Sequence, residues 1–267
     1  MPVNAEVGTM EPLPPPPKWK PHDPIPVEST FNAFVEKVGG KIVSNLLPKS
    51  PEFENADYLF ETIGVVAELK ELQTELDKSD YYRKNFDILI KKLMSSHPEW
   101  RPSLLGGDGK YPDWFYPEYL RIFRPPIARI IKKANRQIRE TKRFFNIDTP
   151  TGIMVFVNDD FVGVPPKQMM ALASSVLTES CSSIDCFVYL TINRYIEVQG
   201  SKMANLIWAP VYSDRIMPSM HQFINDLGAK WFDYLQIVIG PFDESEKINS
   251  ANALDGAKCI SHNIRRA

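Results

Sequence analysis

The chain has 267 residues, 43% of them hydrophobic and 24% charged, with 31 Lys+Arg against 33 Asp+Glu for a formal net charge of -2. That is enough apolar material for one large domain or two small ones with a real core, and it argues against general disorder. No stretch approaches the roughly 18 consecutive apolar residues of a membrane span, and the near-neutral balance alone does not point to a nucleic-acid partner.

The first 30 residues carry neither a basic start nor an apolar core of a secretory signal, so the expected compartment is the cytoplasm. Three cysteines, Cys181, Cys186 and Cys259, show no metal-like pairing and are expected as thiols. Nine of the 23 prolines precede residue 27, including Pro14-Pro15-Pro16-Pro17 before Lys18-Trp19-Lys20. Proline fixes φ and removes a donor, so residues 1–28 read as an extended tail or a strap over the domain, with a polyproline contact to a partner protein as the functional alternative.

Phe31, Phe34, Val35, Val38, Ile42, Val43 and Leu46 recur at helical spacing and predict a first helix over about 30–47, stopped by Pro48. Two β-like runs follow, Ala56 to Glu61 and Val65 to Leu72, around Thr62-Ile63-Gly64. Residues 73–146 read as mostly helical, with a Pro/Gly/aromatic loop over about 97–125 that includes Gly106-Gly107, and the segment 75–124 reads as an insertion. Beyond it we expect a buried strand at Ile153 to Val157, a helix from Pro165-Pro166, and strands at Cys186 to Ile192 and Asn205 to Tyr212. A helix at His221 to Leu235, a short strand at Ile237-Val238-Ile239 and a loose end over 246–267 complete the chain. The class is α/β, a single mixed sheet flanked by helices over residues 29–245.

The chemically informative stretch is Asn55-Ala56-Asp57-Tyr58 with Val65-Val66-Ala67-Glu68-Leu69-Lys70. Side chains alternate along a strand, so Glu68 and Lys70 share one face and Val65, Ala67 and Leu69 the other. A two-residue hairpin loop sets Asp57 opposite Glu68; a four-residue loop sets it opposite Lys70; an odd loop puts it on the wrong face. Carboxylates facing each other across a hairpin repel unless neutralised. A hard cation such as Mg²⁺ does this with one or two carboxylates and a substrate phosphate, and a neighbouring lysine then holds or helps deprotonate water. Phosphodiester hydrolysis fits these roles. The competing reading is a solvated strand face with cross-strand ion pairs. Other acid-x-Lys triplets, Asp108-Gly109-Lys110 and Glu140-Thr141-Lys142, lack the strand setting.

This segment resembles the PD-(D/E)XK nuclease superfamily, with its restriction-endonuclease-like fold, over residues of about 30 to 193. The resemblance implies Asp57 and Glu68 as metal ligands for Mg²⁺ or Mn²⁺, the Leu69 backbone carbonyl as a third, Lys70 as the catalytic lysine, and Glu36 of the first helix as an added carboxylate. Ala56 stands where the motif has proline, and about nine residues between helix one and the Asp57 strand leave little room for the first strand of the usual meander.

A second element runs from Pro125 to Arg143. Ile127, Ile131, Ala134, Ile138 and Phe145 form an apolar stripe, while Arg129, Lys132, Lys133, Arg136 and Arg139 lie mostly on other faces and suit a phosphate backbone. An ordinary solvated helix is the alternative. Gln137 resembles helix glutamines that support the site in parts of the superfamily. Asn158-Asp159-Asp160 reads as turn chemistry before Pro165-Pro166. His22, His97, His221 and His262 have no ligand spacing, and no Gly-rich phosphate loop is present.

The expectation is therefore a magnesium-dependent nuclease acting on nucleic acid, DNA first, with no membrane and with a two-fold homodimer as the pairing suited to duplex cleavage. Its rival is a non-catalytic nucleic-acid-binding or scaffold module of the same fold; a hydrolase of another kind sited near Asp159 has little support. Residues 125–145 hold seven Lys/Arg and one acid, so the net -2 conceals a basic helix on an acidic body.

Overall fold

The computed structural model describes residues 21–72, 76, 79–102, 110–147, 150–159, 161–198, 203–248, 250 and 252–260. The proline run at 14–17, Gly106-Gly107, Asp108-Gly109, Asp160 and the end of the chain from 261 lie outside them. Helix α1 (Val27–Lys37) leads into β1 (Lys41–Ile42), β2 (Tyr58–Phe60) and β3 (Val65–Leu72), then α2 (Asp80–Ser96) and α3 (Phe115–Phe144). There follow β4 (Thr151–Asn158), α4 (Pro166–Ser180), β5 (Cys186–Thr191), β6 (Ile196–Glu197), β7 (Ala204–Asn205), β8 (Trp208–Tyr212), α5 (Pro218–Ile239) and β9 (Lys258–Cys259).

The main sheet has the order β1-β2-β3-β4-β5-β8. Its first three strands form an antiparallel meander, β3, β4 and β5 run parallel, and β8 returns antiparallel on β5. Strand alternation divides the core. Val65, Ala67, Ile153, Val155 and Val188 pack with Phe31 and Phe34 of α1 and Trp231 of α5. Val66, Leu72, Met154 and Phe156 pack on the other side with Ile127, Ile131 and Ile138 of α3 and Met169 of α4. Helix α2 rests on α3 through Leu89, Leu93, Phe115 and Ile122 rather than on the sheet.

The first helix ends ten residues earlier than its periodicity predicts, at Lys37. Gly39 takes φ +88°, and a Cβ on Gly40 would meet Val35 Cγ1 at 2.5 Å and Phe60 Cε1 at 2.8 Å, so the chain turns sharply against α1. Ile42 and Val43 satisfy helical spacing yet belong to β1 and the turn after it, and β1 is the first meander strand for which the spacing leaves little room.

Other corrections follow from packing. The aromatic part of the expected 97–125 loop is helical from Phe115, with Pro125 and Pro126 inside α3, because buried Ile122, Phe123 and Ile127 anchor both sides of the prolines. Ile237-Val238-Ile239 is the last turn of α5, stopped by Gly240 at φ +99°, and Ile237 is 70% exposed. The Asn205 to Tyr212 run splits into β7 and β8. The sheet is not single: β9 pairs with β6, which pairs with β7, in a second three-stranded sheet. The segment read as a loose end thus docks, with Ala257 buried and Asp255 paired to Lys167.

Among the described residues, no helix is long and apolar enough to cross a membrane.

Candidate active site

The hairpin register is Phe60↔Val65, Leu59↔Val66 and Tyr58↔Ala67. Continued by one residue, it sets Asp57 opposite Glu68, which is the arrangement the two-residue loop requires. A turn of 3-10 helix at Glu61–Ile63 and a left-handed Gly64 at φ +66° close the hairpin, so the register is set without a regular two-residue turn.

At Asp57 the ladder between β2 and β3 stops, and each backbone group finds another partner. The Leu69 N–H donates to Asp57 Oδ2 at 2.7 Å. The Ala56 N–H donates to Thr141 Oγ1 of α3 at 2.7 Å, and the Asp57 carbonyl accepts from Val43 N at 2.8 Å. Gln137 Nε2 holds the Asn55 carbonyl at 2.8 Å. Three of these bonds, from α3 and the turn after β1, fix the backbone on which Asp57 sits, and the fourth, from β3, orients its carboxylate. Within a strand, the N–H and C=O of one residue project to the same edge, so the Leu69 carbonyl also faces Asp57.

Glu68 is fully buried on the α3 side of the sheet. Its Oε1 is paired with Lys70 Nζ, and its Oε2 is buried with no N–H or O–H donor; with one of the two acids protonated, the Glu68 and Asp57 carboxyls share a hydrogen bond. Burial, then the charge of Asp57, pushes the Glu68 carboxyl up to about 8, with Lys70 opposing the shift. Burial raises Asp57 as well, against the Leu69 N–H and Lys70. Two acids that face each other and both hold protons more tightly than usual form a site where positive charge is wanted. A divalent cation fits this donor set: the carboxylates of Asp57 and Glu68, Glu68 Oε2 among them, and the Leu69 carbonyl are all hard oxygens. No group of three or more His, Cys, Asp or Glu side chains placed to hold a metal occurs among the described residues, so water or a substrate phosphate would complete such a shell.

Asp57, Glu68 and Lys70 are therefore brought together, and Glu36 is not. Helix α1 runs so that its C-terminal end meets Phe60, at the hairpin end of β2, while its N-terminal end lies toward Asp57. The α1 carboxylate whose field reaches Asp57 is Glu28, two turns before the exposed Glu36. Nearby, Tyr58 OH donates to Asn32 Oδ1 at 2.7 Å. A cleft of about 720 Å³ adjoins the carboxyl ends of β3 and β4, walled by Pro24, Ile25 and Pro26 and lined by Glu28, Glu71 and Asp159. It opens on the α1 side, since Glu71 alternates with Lys70.

On α3 the expected apolar stripe is buried at Ile127, Ile131, Ala134 and Ile138, and Arg129, Lys132, Lys133 and Arg136 are exposed together. Glu54, just upstream of Asp57, pairs with Arg136 and lies 4.0 Å from Lys133. Gln137 is buried, with its amide nitrogen committed to Asn55, so it supports the Asp57 segment. Arg139 is half-buried with Nε unpartnered, and its guanidinium lies 3.6 Å from Glu140. Lys142 turns inward to the Ser183 carbonyl and Asp185.

Asn158 makes the expected turn, accepting from Phe161 N and donating to Phe161 O, and Asp159 is buried against Asn193. Thr141, Glu28 and Glu54 were not foreseen; only Thr141 had a local signal, lying four residues from Gln137 on the same helix face. No protein-family model, curated protein or solved structure matches the chain.

Proposed function

We propose that the protein is a metal-dependent nuclease that hydrolyses phosphodiester bonds, in DNA first, at Asp57, Glu68 and Lys70. The observation that carries this reading is the pairing of Asp57 with a buried Glu68 whose Oε2 has no donor and whose Oε1 meets Lys70. The antiparallel meander β1-β2-β3 continued by parallel β4 and β5 supports the PD-(D/E)XK resemblance, since it is the meander the resemblance calls for.

In the reaction, water adds to phosphorus, one P–O ester bond breaks, and the departing alkoxide takes a proton. A Mg²⁺ or Mn²⁺ ion held by Asp57, Glu68 and the Leu69 carbonyl would neutralise charge building on the phosphate oxygens. Lys70 Nζ, anchored by Glu68, orients the attacking water. Thr141 and Gln137 hold the Asp57 backbone in place, and Arg129, Lys132, Lys133 and Arg136 hold the nucleic-acid backbone.

The test is cleavage of single- and double-stranded DNA and RNA with Mg²⁺ or Mn²⁺ by wild type, Lys70→Ala and Asp57→Ala. Wild type should cut, and each variant should lose at least about 100-fold. A wild type that neither cuts nor binds metal ends the catalytic reading, and equal cutting by the variants moves the site elsewhere. The lack of a third acidic or histidine ligand among the described residues favours one alternative, a nucleic-acid-binding module without catalysis, which predicts binding without cleavage.

A further inference from the structure

Glu54 stands three residues before Asp57, with its carboxylate between two cations of α3. Arg136 Nη2 is bonded to Oε2, and Lys133 Nζ lies 4.0 Å from Oε1. All three side chains are about half exposed, at 48 to 53%. The charge of Lys70 also reaches Glu54, so this ion pair borders the candidate catalytic cluster. A carboxylate and a phosphodiester present the same feature to a guanidinium and an amine: two anionic oxygens on one atom, met by parallel N–H donors. Exposed pairs of this kind contribute little to stability, so a phosphate can take the carboxylate's place at small cost. Arg129 and Lys132 extend the exposed cationic face from there along α3.

We propose that the Glu54 carboxylate occupies a backbone-phosphate subsite formed by Lys133 and Arg136, and that it is displaced when nucleic acid docks beside Asp57, Glu68 and Lys70. The inference rests on the nucleic-acid reading above and adds a built-in competitor to it. Glu54 holds the two cations in a phosphate-ready geometry, keeps them from binding polyanions indiscriminately, and lowers the salt concentration at which nucleic acid is released. A second consequence concerns the catalytic segment. Displacement releases only the Glu54 side chain, while Phe53 stays packed on Phe144 and Gln137 still holds the Asn55 carbonyl, so docking need not disturb Asp57.

The experiment is equilibrium binding of short single- and double-stranded DNA oligonucleotides in EDTA, where no cutting interferes, across a salt series. Its proteins are wild type, Glu54→Gln, Lys133→Ala/Arg136→Ala, and the triple variant. Glu54→Gln should tighten binding about 3- to 10-fold near physiological salt and steepen the salt dependence by about one unit of slope, because two cations then release counterions and not a carboxylate. The gain should vanish in the Lys133→Ala/Arg136→Ala background. Unchanged or weaker binding by Glu54→Gln overturns the subsite, as does a gain that persists without Lys133 and Arg136, which would be a general charge effect. Cleavage by wild type with affinity indifferent to Glu54 removes the subsite alone. A Glu54-dependent affinity with no cleavage in Mg²⁺ or Mn²⁺ removes the hydrolytic reading alone. Binding by none of the four proteins removes both.

Discussion

Thr141 Oγ1 accepts the Ala56 N–H at 2.7 Å, so the residue before Asp57 is bonded to helix α3 and not to the neighbouring strand. Both groups are buried, and deleting the hydroxyl strands the amide. Thr141→Val should cost about 1–3 kcal/mol in urea unfolding, with the slope against denaturant unchanged, while Thr141→Ser should retain most of the stability. If nucleic-acid cleavage is present, Thr141→Val should lower turnover more than substrate affinity, because Asp57 moves and the exposed cations of α3 do not.

Glu68 makes the stability of the fold sensitive to pH. Its carboxyl is pushed up to about 8 by burial and by Asp57, so the fold favours the protonated form. For a group raised in the fold, the stabilisation is fully present below its unfolded value and is lost as pH rises through the folded one. Melting temperature in EDTA should therefore fall between about pH 5 and pH 8, most steeply in the middle of that window, and level off above it. Glu68→Gln should flatten that fall, and millimolar Mg²⁺ or Mn²⁺ should raise the melting temperature most at the alkaline end. An EDTA profile identical for wild type and Glu68→Gln would show that Glu68 does not control it.

Reversing two charges of the α3 face gives a prediction independent of chemistry at the site. On the nucleic-acid reading proposed above, Arg129→Glu/Lys132→Glu should weaken DNA binding and lower the salt slope by about two, at roughly 0.9 per phosphate contact. The melting temperature should hardly change, since both side chains are exposed.

Gly152 tests the far end of the sheet. A Cβ there would stand 1.9 Å from the Ser183 carbonyl oxygen, and the Gly152 N–H donates to Asp185 Oδ2 at 2.8 Å. Backbone cannot yield as a side-chain tip does, so Gly152→Ala should destabilise by several kcal/mol, of the order of the largest single-site losses. Circular dichroism melting would detect it as a large fall in the transition temperature.

Glu68 and Lys70 are legible in the sequence through alternation along one strand, whereas the place of Asp57 opposite Glu68 depends on the hairpin register, which the sequence leaves open and the turn at Glu61–Gly64 sets. The buried face of α3 is legible as Glu68 and Lys70 are, since a 3.6-residue period needs no knowledge of its partner. Glu28 and Glu54 are not legible. Their places depend on which end of α1 meets Phe60 and on α3 crossing the segment before β2, both products of tertiary packing. Glu36 misleads because helix membership alone does not say which end of the helix is near the site. Ile237-Val238-Ile239 misleads in the opposite way: three β-branched residues resemble a strand, but Trp231 and Leu235, buried about two turns and one turn earlier, already commit the chain to α5. Ile42 and Val43 fit two periods at once, and only Gly39-Gly40 decides between them.

The strap before α1 bears on how the cleft comes into being. Ile25 is clipped at both its N–H and its carbonyl by the side chain of Asn193, 168 residues away in the chain, and His22 reaches Tyr195 at 2.6 Å. The cleft wall is thus made by the beginning of the described chain but latched by residues just beyond β5. Contacts of such sequence separation form late in folding, after the closure entropy of the intervening chain has been met. During synthesis the wall therefore has no latch until β5 and the Asn193 turn have emerged, so the acidic cleft closes only after the strands it adjoins, β3 and β4, have been made.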